Sequence, residues 1–371
     1  MNIERKILLN PGPATTSDSV KMAQVVPDIC PREKEFGDIM EYISMSLADV
    51  VADSKTHTAV LLGGSGTAGV EAVLSSVIGE NESVVIINNG AYGKRMCDIC
   101  KIHKIDFAEY SSSKIEQIDF KDFENFIVEQ KKIKNNLKYI SCVHSETTTG
   151  LLNNIKRVGD LAKKYDLQLI VDAMSSFAGV PIDMQEMNIS YLVASSNKNI
   201  QGMAGVVFVI ASKSLLSDHA HKTPRTLYLD IFAQYEYFIK TKQMRFTPPV
   251  QTLYALKQAI DEFKEETAEK RYARYRENWK TLREGLHKLG LKTLVSDEDH
   301  SNIITSVIEP TDIKGYSFDS MHDYLYKRNI TIYPGKISDQ NTFRIANIGA
   351  IDKNDILLFL DELKNYFESL K

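Results

Sequence analysis

Between residues 58 and 210 the chain alternates short apolar runs with stretches of helical periodicity, and most of the apolar runs stop on small polar residues. That alternation restricts the fold more than any other feature of the sequence. TAVLL, SVVIINN, Ile105–Glu109, Leu137–Val143, LQLIVDAMSS, YLVA and Gly205–Ile210 are apolar runs of strand type. Short runs of this kind, bounded by turn residues, read as strands covered on both faces. Between them AGVEAVLSSVIG, Phe120–Lys134 and Ile155–Asp166 carry helical spacing. Repeated strand–helix units predict an α/β fold: a mainly parallel central sheet with helices on both faces. Ligands of such a sheet sit at the carboxyl edge of the strands.

Outside this block the pattern changes. Phe36, Ile39, Met40, Ile43, Leu47, Val50 and Val51 mark an earlier amphipathic helix, and Val250–Phe263 a later one. Glu266–Leu289 is rich in alternating charges and reads as a helix with a solvated face. Strands at Asn302–Ile308, near Ile332 and at Thr342–Ile345, with helices Phe318–Lys327 and Asp355–Phe367, outline a smaller α/β domain. The chain of 371 residues exceeds one average domain. We expect an N-terminal segment (1–20), a large domain (21–260) and a small C-terminal domain (261–371).

The net charge of −4 argues against nucleic acid or an anionic membrane surface as the main partner. No apolar run approaches a membrane span, and no long apolar stretch follows the charged start, so a cytoplasmic protein is expected. Four cysteines are too few for a disulfide scaffold. The Cys97/Cys100 pair lies in a helical stretch with no second pair, which favours packing over metal binding.

Several residues stand where chemistry could be placed. Lys198, in SSNKNIQG after a strand, suits an amine that condenses with an aldehyde cofactor; alternatively it is one more surface charge. Asp172 closes an apolar run, where a carboxylate is costly unless paired, or it caps a turn beside Ser175 and Ser176. Gly64, Gly66 and Gly69 satisfy G-x-G-x-x-G ahead of a helix. A nucleotide-binding oxidoreductase would need a carboxylate about 20 residues on. The next strand ends instead in Asn88 and Asn89, so a phosphate site survives and a nicotinamide site is weakened. Tyr92 follows that strand, either packing at a helix start or stacking on a flat ring. Arg32 is a solvated loop charge or an anion contact.

LLNPGP, GGSGT, NNGAYGKRM, VHSETTTG, IVDAMSSF, SSNKNIQG, MRFTPP, IYPGK and FRIANIG, in this order, resemble the class V aminotransferases, fold-type I enzymes that use pyridoxal 5′-phosphate. The resemblance covers nearly the whole chain and is nearest the branch that moves the amino group of 2-aminoethylphosphonate to pyruvate. Asn197 ahead of the lysine is shared with that branch, while CPREKEF is closer to the arginine-bearing loop of the serine–glyoxylate relatives. The resemblance implies that Lys198 carries the cofactor covalently and shuttles protons, and that Asp172 faces the pyridine nitrogen. It further implies that Ser65, Gly66 and Thr67 hold the phosphate, with Thr247 reaching it from a second subunit of a homodimer. Tyr92 would stack on the ring, Thr147 would bond near the phenolic oxygen, and Asn197 would line the cofactor. Arg344 would bind the substrate anion, with Asn10, Gly12 and Arg32 as further substrate contacts. The rival within the class is a serine- or alanine–glyoxylate transaminase.

Overall fold

The computed structural model describes residues 3–218, 223–335 and 340–371. The expected IYPGK stretch therefore ends, at Lys336, outside the described residues. At the centre is a seven-stranded sheet. Its strands in chain order are β1 (His57–Gly63), β2 (Ser83–Asn88), β3 (Asp106–Ser111), β4 (Leu137–Val143), β5 (Gln168–Asp172), β6 (Tyr191–Ser195) and β7 (Val206–Ser212). In space they lie β1-β7-β6-β5-β4-β2-β3. Only β7 is antiparallel to its neighbours; the other pairings are parallel. The loop between β6 and β7 is shorter than a parallel crossover requires, so the chain must double back there.

The flanking helices are α1 (Lys34–Ala48), α2 (Gly66–Val77), α3 (Ala91–Ile102), α4 (Phe120–Ile133), α5 (Ile155–Lys164), α6 (Ile231–Thr241), α7 (Val250–Glu266) and α8 (Ala268–Lys288). Two apolar cores cover the sheet, as the alternation along β4 shows. Ile140 and Cys142 join Met40, Phe123, Val158 and Leu253 on one face. Tyr139 and Val143 join Val73, Met96 and Ile231 on the other. Gly69 lets α2 lie close on the sheet: a Cβ there would stand 2.2 Å from Val207 Cγ2. Helix–sheet packing thus accounts for the third glycine of the G-x-G-x-x-G pattern.

The C-terminal part adds β8 (Ile304–Ile308), α9 (Phe318–Tyr326), β9 (Tyr333–Pro334), β10 (Thr342–Ala346) and α10 (Lys353–Ser369), with sheet order β8-β10-β9. The N-terminus belongs to this part by packing. Ile7–Leu8 pairs with Ile330–Thr331, and Ile7 and Leu9 enter the same core as Phe343, Ile345 and Phe359.

Most predicted elements appear with ends shifted by one or two residues. The LQLIVDAMSS strand stops at Asp172, where the backbone leaves the sheet in a turn. A division near residue 260 falls inside α7, which continues to Glu266; the helices break at Thr267, whose φ is 70°. Helix α8 has the solvated face expected of it, with Arg276, Glu277, Lys280 and Glu284 exposed, while Arg271, Tyr275, Asn278, Trp279, Leu282 and Leu286 are buried on the other. Cys97 and Cys100 are buried in α3, and burial pushes each thiol up to about 12. Among the described residues there is no metal-binding cluster, and no helix is long and apolar enough to cross a membrane.

Candidate active site

Lys198 sits in the tight loop that follows β6. Gln201 N donates to Lys198 O at 2.9 Å, and Gly202 N to Ser196 O at 2.8 Å, closing the loop on itself. Asn199 Nδ2 donates to Ser175 O at 2.7 Å, and Arg271 Nη1 on α8 donates to Asn199 O at 2.7 Å. Gln201 Nε2 reaches Tyr275 OH at 2.8 Å, and Ala14 N donates to Asn197 O at 2.9 Å. The loop is therefore fastened to β5's exit turn, to α8 and to the N-terminal segment. Lys198 as a whole is part-buried, but its amine lies deep, and burial holds its pKa below the ordinary lysine value. Asp172 and Glu146 oppose that shift; Arg344 and Arg95 reinforce it. Lys198 Nζ donates to Ser175 Oγ at 3.4 Å, a long hydrogen bond that leaves the amine available.

Asp172 ends β5, 4% exposed, and its Oδ1 accepts from Met174 N at 2.9 Å. Burial raises its pKa, while Met174 N, Lys198 and Arg95 pull the other way. Asp172 is thus a carboxylate that a nearby cation would return to its ionised form. In SETTTG, Thr147 is buried and its Oγ1 has no hydrogen-bond partner. The neighbouring Glu146 is wholly buried; it accepts from Thr148 N at 3.0 Å and Tyr92 N at 3.4 Å. Burial raises the Glu146 pKa. This carboxylate ties the SETTTG turn to the start of α3, which carries Tyr92.

Ser65 is the N-cap of α2, but its side chain caps nothing, and Gly66 and Thr67 open the helix. The amides of Gly66 and Thr67 and the two hydroxyls are thereby left without a cap, an arrangement suited to a phosphate. Arg95 Nη1 donates to Thr67 Oγ1 at 3.1 Å, and the guanidinium lies 4.8 Å from the Tyr92 ring centre.

Arg344 projects from the middle of β10 and is 1% exposed. Its Nε donates to Pro334 O at 3.0 Å and its Nη1 to Thr147 O at 3.3 Å; Tyr333 stacks at 5.1 Å. No carboxylate pairs with it among the described residues. The NPGPAT segment passes over the lysine. Gly12 has φ of 144°, and a Cβ on it would sit 3.2 Å from Lys198 Cε. Asn10 is buried with Nδ2 on Pro13 O at 3.1 Å, and its Oδ1 is unpartnered.

Lys198, Asp172, Thr147, Tyr92, Thr67, Arg344 and Gly12 therefore converge. Arg32 and Thr247 stand apart. Arg32 is exposed, bonding Met244 O at 2.7 Å and Gln243 Oε1 at 3.0 Å. Thr247 is exposed on the loop before α7. Neither makes a hydrogen bond to the converging group among the described residues. Three participants went unassigned in the sequence: Arg95, Glu146 and Arg271. Arg95 lies within NNGAYGKRM and Glu146 within SETTTG, so proximity to motif residues was a usable signal. Arg271 is hidden among the like-looking charges of α8, and periodicity offers none.

The model of the class-V aminotransferases matches residues 20–351. The chain belongs to this family. A 2-aminoethylphosphonate–pyruvate transaminase of Klebsiella pneumoniae is 40% identical over 368 residues, 98% of each chain. One of Phocaeicola vulgatus is 39% identical over 363 residues, 96% of this chain and 98% of the other. A bifunctional phosphonoacetaldehyde hydrolase/aminoethylphosphonate transaminase of Clostridioides difficile is 41% identical over 363 residues. That match covers 97% of this chain, which spans only 56% of the bifunctional protein's length. Among solved structures, ureidoglycine–glyoxylate aminotransferase from Bacillus subtilis superposes with TM-score 0.88 at 24% identity, covering 98% of this chain and 93% of that one. Alanine–glyoxylate aminotransferase from Nostoc sp. superposes with TM-score 0.89 at 22% identity, covering 98% and 96%. The expected fold-type I α/β architecture is thus the one present.

The class-V cofactor, pyridoxal phosphate, fits this set of residues. Uncapped amides and hydroxyls at Ser65–Thr67 match a phosphate, the buried unpartnered Thr147 Oγ1 matches a ring oxygen, and Lys198 offers a depressed-pKa amine for an aldehyde.

Proposed function

We propose that the chain transfers the amino group of 2-aminoethylphosphonate to pyruvate, yielding phosphonoacetaldehyde and L-alanine. The observation that carries this reading is Arg344: a buried guanidinium with no carboxylate ion pair among the described residues, opening on the same site as Lys198. A guanidinium fork accepts a phosphonate and a carboxylate alike. One such residue can therefore hold the donor's phosphonate in one half-reaction and pyruvate's carboxylate in the next, which makes the cycle ping-pong.

Pyridoxal phosphate, when bound, supplies the aldehyde for the amine and a ring that stores an electron pair. With the cofactor in place, Lys198 would serve as the base and then the acid that moves the proton at the amine-bearing carbon of the substrate, and its depressed pKa keeps the lone pair available. Asp172 holds a proton at the ring nitrogen, Ser65, Gly66 and Thr67 hold the phosphate, and Thr147 donates near the ring oxygen. Tyr92 lies against the ring, and Asn197, Asn10 and Gly12 close the site over the lysine. Asn197 and the NPGPAT segment are joined by the Ala14–Asn197 hydrogen bond, which supports that closure.

The same reading includes a cytoplasmic homodimer of two-domain subunits (21–260 and 261–371), with Thr247 completing the cradle of a second copy and Arg32 at the rim. Mixing inactive Lys198→Ala and Thr247→Ala chains should restore activity through hybrid sites; a fully active monomer would rule the dimer out. The deciding experiment for substrate is spectroscopic. With aminoethylphosphonate as the only amine the yellow absorbance of the holoenzyme should bleach, then return on adding pyruvate. Bleaching by serine or alanine but not by aminoethylphosphonate would assign the chain to the glyoxylate-type transaminases.

A further inference from the structure

We propose that Arg95 is the cation of the phosphate cradle: through Thr67 and by its own charge it sets the affinity of the site for the phosphate of the cofactor. This rests on the reading that the site holds pyridoxal phosphate, and it concerns a residue that no motif assigned.

Arg95 lies one turn beyond Tyr92 on α3 and is half-buried. Among the described residues, its guanidinium contacts two residues of the site. Its Nη1 donates to Thr67 Oγ1 at 3.1 Å, and its guanidinium faces the Tyr92 ring at 4.8 Å. Among the described residues it has no carboxylate partner. Two other arginines that are not fully buried do have one: Arg274 pairs with Glu266 at 2.7 Å and Arg328 with Glu362 at 2.9 Å. A guanidinium carries five N–H donors, and a single threonine hydroxyl satisfies one of them. Removing such a group from water without a counter-charge is unfavourable, so the arrangement calls for an anion.

The position indicates which anion. Thr67 stands in the first turn of α2, where the uncapped amides already supply about half a positive charge. Because Thr67 Oγ1 accepts from Arg95, its own hydroxyl proton is free to point into the cradle. Arg95 therefore orients one donor and adds a full charge behind it. The charge extends over the rest of the site, opposing protonation of both Lys198 and Asp172. Holding Tyr92 by its face couples the cradle to the ring position.

A purely structural role for Arg95, as a prop for Tyr92, predicts something different, and the two can be separated by ligands with and without a phosphate. Apoenzyme is titrated with pyridoxal phosphate and with pyridoxal, for the wild type, Arg95→Met, Arg95→Lys and Thr67→Ala. A charge-assisted contact of this kind corresponds to about tenfold or more in affinity. Arg95→Met should weaken pyridoxal phosphate by at least that factor while leaving pyridoxal within about twofold. Arg95→Lys keeps the charge without the fork and should recover most of the phosphate-dependent loss, and Thr67→Ala should lose part of it. Inorganic phosphate should compete with pyridoxal phosphate in the wild type and lose potency in Arg95→Met. Equal losses for both ligands overturn the proposal in favour of the Tyr92 prop. So does an unchanged pyridoxal phosphate affinity, or a loss seen only in KM for aminoethylphosphonate, which would put Arg95 on the substrate instead. If the wild type binds no pyridoxal phosphate, the cofactor reading falls and the proposal with it. If the wild type binds and Arg95→Met binds equally, only the proposal falls.

Discussion

Arg344 and Arg32 are the same side chain in opposite situations. Arg344 is 1% exposed, and two carbonyls, Pro334 O and Thr147 O, fix its plane from neighbouring segments. Burial holds its pKa below the ordinary arginine value; Tyr92, Tyr333 and Glu146 oppose that shift at a distance, but no carboxylate forms an ion pair with it among the described residues. Arg32 is exposed, and its guanidinium is occupied by the 243–245 segment: Gln243 Oε1 and the backbone carbonyls of Met244 and Arg245. The first is preorganised and without a direct ion pair among the described residues; the second is hydrogen-bonded and wet. An ion held where water is excluded interacts far more strongly than one screened at the surface. The contrast between the buried end of the site and its rim therefore predicts where substitutions act.

The largest effect belongs to the buried end. Lys198→Ala should abolish turnover, and borohydride should no longer fix the cofactor to the chain, while the circular dichroism spectrum stays native. Retained turnover without added amine would end the assignment of Lys198. Next, Asp172→Asn should lower kcat by about a hundredfold to a thousandfold, the scale of losing a preorganised electrostatic group. In the apoenzyme the same change should cost no stability near neutral pH. The folded-state pKa of Asp172 is raised, so its ionised form opposes folding above that pKa, and asparagine removes the opposition. Near-normal kcat with cofactor fully bound would make Asp172 structural.

The buried end should also reveal itself in acid. His144, against Ser176 Oγ at 2.9 Å, is held neutral by burial with a pKa lowered to about 4. The unfolded chain takes up that proton first, near pH 6.5. Stability is therefore complete above about pH 6.5 and is lost as pH falls toward 4, by up to about 3 kcal/mol. Urea midpoints between pH 7 and 4.5 measure this, and His144→Gln should flatten the decline. An unchanged slope in that variant would place the acid sensitivity elsewhere.

The arginine pair itself gives the two smaller effects. Arg344→Lys retains charge and loses the fork, so kcat/KM should fall at least about tenfold, in both half-reactions measured separately, with cofactor absorbance unchanged. Arg32→Lys should change kcat/KM by no more than about threefold, the range of an exposed, screened contact. A large loss in Arg32→Lys, confined to one half-reaction, would reverse the comparison and make Arg32 the second anion contact.

The sequence by itself determined the sheet and pointed to the edge where the candidate site lies. Apolar runs such as Leu137–Val143, closed by polar residues and separated by helical stretches, leave a chain few ways to bury them, and local periodicity states this directly. The motif order likewise singled out Lys198, Asp172 and Arg344 as candidates for one site, and the fold brings them together. Tertiary structure alone decided what surrounds them. That Arg95 bonds Thr67 and has no carboxylate partner among the described residues, that Glu146 bonds the start of α3, and that Arg271 holds Asn199 O from α8 depend on segments distant in sequence meeting in space. Periodicity registers how a residue relates to its near neighbours in the chain. It is silent on which partner a buried charge finds, and for α8 it gave the solvated face but not that the fold encloses Arg271 on the other.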